Sequence, residues 1–209
     1  GKVKNQVFSS TGKLLTISGT TVDATHYVEL TTDTGASFLD HANVRTNALR
    51  YNEANGACIK ITGAWASAVV IDQNYTRISK LQFSGTSTGG GAKAPFSLGN
   101  GGGATHCDIN QCIFEGYSPS SGSSGAGSLS IYGNGNRVRN SLIVQKTTTT
   151  AAYIAQLSAG TSAYNCTLVS LGTTLSNGIY GVYGTGTLSN CYIGGVSAPK
   201  TGSASLTVT

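Results

Sequence analysis

The chain has 209 residues, of which only 10% are charged, with 13 Lys and Arg against 8 Asp and Glu for a formal net charge of +5. That length supports one domain with a sizeable core, and Val, Ile, Leu, Phe and Tyr recurring at regular intervals exclude a disordered chain. No apolar run approaches the ~20 residues that cross a bilayer, and the basic residues are scattered, so neither a membrane span nor a nucleic-acid-binding stripe is expected.

No Met and no basic-plus-apolar leader segment occur, which fits a cytosolically made chain without a signal peptide whose initiator Met was removed before Gly1, and equally an N-terminally processed fragment. Residues 1–50 carry no repeat. Lys13–Ile17 and Tyr27–Leu30 read as strands bounded by Ser-Gly-Thr and Thr-Asp-Thr-Gly turns. Residues 1–50 are expected to form a small β lead-in that caps or docks on a main domain at 51–209. Asp40–Glu53 is polar and irregular, and reads as a connecting loop with one helical turn.

From Cys58 two kinds of strand signal alternate. The first alternates apolar with small or polar residues: Cys58–Ile61, Phe96–Leu98, Leu129–Ile131, Tyr153–Ala155, Ile179–Val182 and Leu206–Val208, with a further strand at Val69–Ile71. The second is a six-residue pattern: Ile78–Phe83, Ile109–Phe114, Val138–Ile143, Ala163–Leu168 and Leu188–Ile193. Its fourth positions, Leu81, Cys112, Ser141, Cys166 and Cys191, lie 31, 29, 25 and 25 residues apart. Gly-, Ser- and Asn-rich segments between the strands supply the positive φ of tight corners.

A fixed period in this range, with no helical periodicity, points to a solenoid. A sandwich tolerates the strand spacing but gives no reason for a whole hexad to recur. Stacking coils ~4.8 Å apart aligns equivalent positions into columns. Phe83, Phe114, Ile143, Leu168 and Ile193 then form one core column, and Leu81, Cys112, Ser141, Cys166 and Cys191 a second. Asn140, Asn165 and Asn190 form an amide ladder at a corner. The expected fold is all-β: a right-handed parallel β-helix of about five to six coils.

Hexads with Asn before a small interior residue, followed by an aliphatic strand, resemble right-handed parallel β-helix proteins. These include pectin-degrading lyases and hydrolases and the spikes and fibres of bacteriophages. The likeness covers 58–208 and concerns fold rather than activity. The stretch from His41 through Tyr51-Asn52 to Arg77-Ile78 is similar to the entry of β-helices in phage-encoded proteins. The likeness implies either a virion component or a glycan-active enzyme.

Five cysteines, Cys58, Cys107, Cys112, Cys166 and Cys191, show no CxxC or Cys/His spacing, so no metal site and no cofactor are expected. Buried free thiols filling an apolar column are expected instead. Cys166 and Cys191 stack close enough for a disulfide, but parallel Cβ vectors suit the bridge dihedral poorly.

Glycan hydrolysis needs a carboxylate pair, and the lyases of this resemblance use Asp- or Glu-bound calcium with a basic proton abstractor. No carboxylate occurs between residues 116 and 209. The remaining candidates are Asp72, Asp108 and Glu115, with His106 nearby; Asp72 and Asp108 fall in neighbouring coils and are able to approach each other, whereas capping of turns is the commoner role of such acids. Asp108 and Glu115, read as opposite ends of one strand, stand ~23 Å apart. Tyr132, Tyr180, Tyr183 and Tyr192 are candidates for an outward binding face.

A non-enzymatic structural protein of a bacteriophage virion is therefore the leading expectation, as a capsid decoration or a spike- or fibre-like appendage. Its partners would be other capsid proteins and further copies of itself in a trimer. The alternative is a polysaccharide-binding or depolymerising β-helix that engages a cell-surface glycan.

Overall fold

Outward polar and inward apolar residues alternate through short strands, and the structure, a computed structural model, stacks those strands in parallel coils. It describes residues 1–43, 45–46, 48–62, 67, 69–86, 94–99, 104–118, 127–147, 153–171, 180–196, 198–201 and 207–208. The first coil is β1 (Lys2–Val3), β2 (Val7–Ser10) and β3 (Leu15–Ile17). Next come β4 (Val28–Thr32), β5 (Cys58–Ile61) and β6 (Val69–Ile71), then β7 (Thr76–Ser79), β8 (Gln82–Thr86) and β9 (Phe96–Leu98). These are followed by β10 (Asp108–Asn110), β11 (Ile113–Ser118), β12 (Leu129–Ile131), β13 (Arg137–Arg139), β14 (Leu142–Thr147) and β15 (Tyr153–Leu157). The remaining strands are β16 (Ser162–Tyr164), β17 (Thr167–Ser170), β18 (Tyr180–Gly184), β19 (Thr187–Ser189), β20 (Tyr192–Gly194), β21 (Ala198–Thr201) and β22 (Thr207–Val208).

Every third strand joins the same sheet. Sheet I runs β1-β4-β7-β10-β13-β16-β19-β22, sheet II β2-β5-β8-β11-β14-β17-β20 and sheet III β3-β6-β9-β12-β15-β18-β21. All described pairings are parallel. The fold is thus an all-β parallel solenoid with three strands per coil.

Two expectations change. Residues 1–32 do not dock on the solenoid as a separate element: β1 pairs with β4, β2 with β5 and β3 with β6, so β1–β3 form its first coil and β4 opens its second. The hexad is missing from the second coil because residues 33–57 leave it between β4 and β5. That excursion holds two 3-10 turns, Phe38–Asp40 and Glu53–Asn55, rather than one helical turn. Buried Gln82 anchors it, accepting from Asn52 N–H (2.8 Å) and donating to Asn52 C=O (3.1 Å).

The hexad is also not one strand. Its first residues end a sheet I strand, its third residue makes a corner, and its remainder opens a sheet II strand. The corner residues Lys80, Gln111, Asn140, Asn165 and Asn190 have φ between 50° and 62°. Asn is among the few L-residues that enter this left-handed region readily, its short amide bonding locally. The three asparagines also bond along the stack, Asn165 Nδ2 donating to Asn140 Oδ1 (3.3 Å) and Asn190 Nδ2 to Asn165 Oδ1 (2.7 Å). Asn140 Nδ2 extends the ladder to Asn110 Oδ1 (2.8 Å).

Backbone bonding does not stop at the bend. Gln111 N–H donates to Arg139 C=O (3.1 Å), Asn140 to Tyr164 (3.0 Å) and Asn165 to Ser189 (3.1 Å). The following residue borrows a side chain from the next coil: Cys112 N–H donates to Ser141 Oγ (3.1 Å), and Cys166 N–H to Cys191 Sγ (3.4 Å). The Cys/Ser column therefore serves as acceptor as well as filler, which is why Ser substitutes for Cys in it.

Inside, Phe8, Ile59, Phe83, Phe114, Ile143, Leu168 and Ile193 stand in one register column. Phe83 and Phe114 stack at 5.1 Å with an interplanar angle of 6°, and Phe96 meets both edge-on at 5.0 and 5.3 Å. Each buried aromatic pair adds ~0.5–1.5 kcal/mol to the burial of its area.

Phe114→Ala is expected to cost ~3–5 kcal/mol of unfolding free energy, against under ~0.5 kcal/mol for Tyr192→Ala at a position 64% exposed. Chemical denaturation of the two variants checks the contrast. At the corner, Asn165→Val is expected to cost at least ~1–2 kcal/mol for forcing a branched residue left-handed, and Asn165→Gly clearly less. Equal losses would mean that the corner conformation is not what holds Asn165 there.

Candidate functional site

Sheet I strands read polar-apolar-polar: Arg77-Ile78-Ser79, Asp108-Ile109-Asn110, Arg137-Val138-Arg139, Ser162-Ala163-Tyr164 and Thr187-Leu188-Ser189. The middle residues are buried in the core, so the flanking ones project outward. In register across the outer face run Glu29, Arg77, Asp108 and Arg137, alternating in charge. Three adjoining hollows line this face. One of about 250 Å³ is bordered by Tyr27, Tyr75, Arg77, His106, Asp108 and Arg137. A second, of about 340 Å³, lies over Glu29, Arg77, Asp108 and Arg139, and a third, of about 370 Å³, over Arg137, Asn140 and Tyr164. Together they form an open groove along the stack.

Asp108 lies in the groove but is held by two arginines. Arg139 donates from Nε to Oδ1 (2.9 Å) and from Nη2 to Oδ2 (2.7 Å), a bidentate pair, and Arg137 Nε stands 3.2 Å from Oδ1. The Asp108 side chain is only 12% exposed. Bonding to it pushes the Arg139 guanidinium still further up. Three guanidinium nitrogens thus crowd a carboxylate that offers about four acceptor positions. Asp72 follows β6 at an exposed corner and borders none of the three hollows, so the expected Asp72–Asp108 pairing has no common cavity. Glu115 is not at the far end of Asp108's strand: the Gln111 corner places it on sheet II, paired with Lys146 at 2.8 Å.

The sequence alone did not single out Tyr27, Tyr75 or Arg77. Tyr75 and His106 occupy equivalent corners between sheets III and I, with φ of 51° and 58°. The next coils have Gly135 and Gly160 at that corner, at 72° and 76°. A bulky residue costs about 1–2 kcal/mol there relative to its preferred conformation. The strain holds two rings stacked at 5.2 Å, 15° from parallel, at the groove wall. Beside them the Arg77 guanidinium lies 3.4 Å from the centre of the Tyr27 ring. Among the described residues Arg77 enters no salt bridge, although Glu29 and Asp108 flank it in register.

The proposed tyrosine face divides. Tyr132 follows β12 and Tyr180 and Tyr183 lie in β18, both on sheet III, whereas Tyr192 opens β20 on sheet II. Tyr132 donates to Gln156 Oε1 (2.7 Å), and the side chains of Tyr180 and Tyr183 lie outside the described residues. Among the described residues, no three His, Cys, Asp or Glu side chains gather as a metal site.

Comparison with known proteins finds no matching family model, no matching curated protein and no matching solved structure.

At the groove's edge, Asp23 Oδ1 accepts from Thr25 Oγ1 (2.8 Å) and from the Thr25 and His26 N–H groups (2.7 Å each). The Thr25 hydroxyl bond foremost, then those from His26, lower its carboxyl from 3.8 to about 2. With a depressed folded pKa, the turn's contribution is complete above pH ~4 and fades as pH falls through 2. Amide shifts of Thr25 and His26 are therefore expected to titrate near pH 2; a midpoint near 3.8 would mean that the turn does not hold the carboxylate.

Proposed function

We propose that the chain is a non-enzymatic structural β-helix of a bacteriophage particle, serving as a capsid decoration or as part of a spike- or fibre-like appendage. One observation carries the structural half of this reading: backbone and side-chain bonding continues from coil to coil through the corners as well as the strands. A rod bonded in this way opens only by breaking several rungs together, which suits a part that bears load or persists outside the cell. The engaged carboxylate in the groove supports it, since general acid–base cleavage of a glycosidic bond needs two carboxyl groups able to exchange protons. Placement in the virion rests on the likeness of residues 58–208 to phage spikes and fibres, and the partners would be other capsid proteins or further copies of the chain. Quantitative mass spectrometry of gradient-purified particles tests it. A fixed copy number relative to the main shell protein is expected. A chain found only in the soluble lysate overturns the placement.

A second reading, retention of a cell-surface glycan without turnover, is favoured by the strained Tyr75–His106 stack beside Arg77. Rings of this kind stack on sugar faces, and a guanidinium bonds hydroxyls or carboxylates. Tyr75→Gly is expected to fold, because Gly removes the backbone strain, while Arg77→Ala empties the charge from the groove. Calorimetric titration with host-surface polysaccharide is expected to show binding that both variants weaken at least tenfold. Unchanged affinity removes this reading. Polysaccharide cleavage that is lost in Asp72→Asn or Asp108→Asn would overturn the non-enzymatic one.

A further inference from the structure

We infer that Arg77 is an oxyanion-binding residue of the sheet I groove, positioned by Tyr27, and that the ligand retained there is an acidic glycan bonded through a carboxylate or a phosphate. The carbohydrate part of that ligand rests on the glycan-retention reading above, and the acid group goes beyond it. Arg77 borders both the hollow of about 250 Å³ and the hollow of about 340 Å³. Its Cζ lies 3.4 Å from the centre of the Tyr27 ring. So close an approach leaves no room for a nitrogen between Cζ and the ring. The guanidinium plane therefore lies along the ring face, and its N–H groups point outward past the ring edge. The negative face of the ring holds the cation without occupying any of its five donors.

The neighbouring charges leave those donors to a ligand. Glu29, Arg77, Asp108, Arg137 and Arg139 all line the same hollow, three cations against two acids. Asp108 stands in register with Arg77, yet Arg139 and Arg137 hold it from the other side. Glu29 is in register on the opposite flank, is exposed, and among the described residues pairs with no cation. Arg77 thus has an acid on either side and stacks on Tyr27 instead, which keeps its fork open to the groove.

A stacked, planar guanidinium matches the paired oxygens of a carboxylate or phosphate, and such charge-assisted bonds are roughly twice as strong as those to a neutral hydroxyl. The Tyr75–His106 stack borders the hollow of about 250 Å³ together with Arg77. A sugar ring lying against that wall therefore brings its acid group within reach of the fork. The one acid left unpaired in the hollow, Glu29, opposes the same ligand, so it limits affinity rather than supplying it.

The intact chain is titrated with glucose, glucuronate and glucose-6-phosphate while the Arg77 Nε–H signal and the Tyr75 and His106 amides are followed by NMR. The three sugars share a ring and differ in the acid. Glucuronate, glucose-6-phosphate or both are expected to shift the Arg77 signal saturably, about tenfold more tightly than glucose. Which of the two binds tells carboxylate from phosphate. Glucose binding as tightly overturns the acid selection and leaves the glycan reading standing. Failure of both acid sugars overturns the oxyanion site, and the glycan reading is then decided by the polysaccharide titration alone. Arg77→Lys keeps the charge and loses the fork, and is expected to weaken the acid sugar about fivefold; unchanged affinity overturns the bidentate role. Tyr27→Phe keeps the ring face and is expected to retain the affinity that Tyr27→Leu loses; equal affinities overturn the positioning role of Tyr27. Glu29→Gln is expected to tighten the acid sugar and not glucose, and a weaker acid sugar overturns the charge argument. All these side chains are exposed, and unchanged amide signals away from the groove confirm that each variant folds.

Discussion

One residue per corner must turn the chain from sheet I to sheet II without breaking the bonds between coils. A left-handed residue does this because it changes the strand direction within a single step. Its own N–H still reaches the carbonyl of the next coil, as Asn140 reaches Tyr164 and Asn165 reaches Ser189. The residue after it is left with an N–H that no backbone carbonyl meets, and Ser141 Oγ and Cys191 Sγ supply the acceptors. Asn in one column and Cys or Ser in the next are thus two halves of one requirement. A buried, unpaired N–H would cost ~1–3 kcal/mol at each coil.

The same geometry prepares the outer face of sheet I. Corners on both sides cut its strands to about three residues, so each contributes one inward and two outward side chains. Parallel register then stacks the outward residues into columns. This brings Glu29, Arg77, Asp108 and Arg137 together from strands far apart in sequence. The second corner admits Gly135 and Gly160 without strain, yet holds Tyr75 and His106 in the equivalent coils. Backbone strain tends to persist where the surrounding structure uses it, and here it fixes an aromatic stack over the groove.

Charge pairing separates the acids from the chemistry that their sequence positions suggest. Asp108 reads in sequence as half of a catalytic pair, but its position between Arg77 and Arg137, with Arg139 beside it, makes it a tie between coils. Sheet II is partly covered by the 33–57 excursion, pinned by Gln82, which leaves sheet I as the face carrying the groove.

The periodic hexad, read from residues alone, determined the solenoid, its core column from Phe83 to Ile193 and the asparagine ladder, because a repeat aligned by stacking leaves equivalent residues little freedom. It could not show that β1–β3 form the first coil and β4 opens the second, since the 33–57 excursion removes the hexad from that second coil. It placed the third-position asparagines at a corner, but could not show that Lys80 and Gln111 turn the chain in the same left-handed way, because the bend is a backbone angle that Lys does not signal. The groove was hidden for a related reason. Tyr27, Tyr75, His106 and Arg77 form no motif in sequence, and only the register of parallel strands, set by bonds between coils, places them side by side.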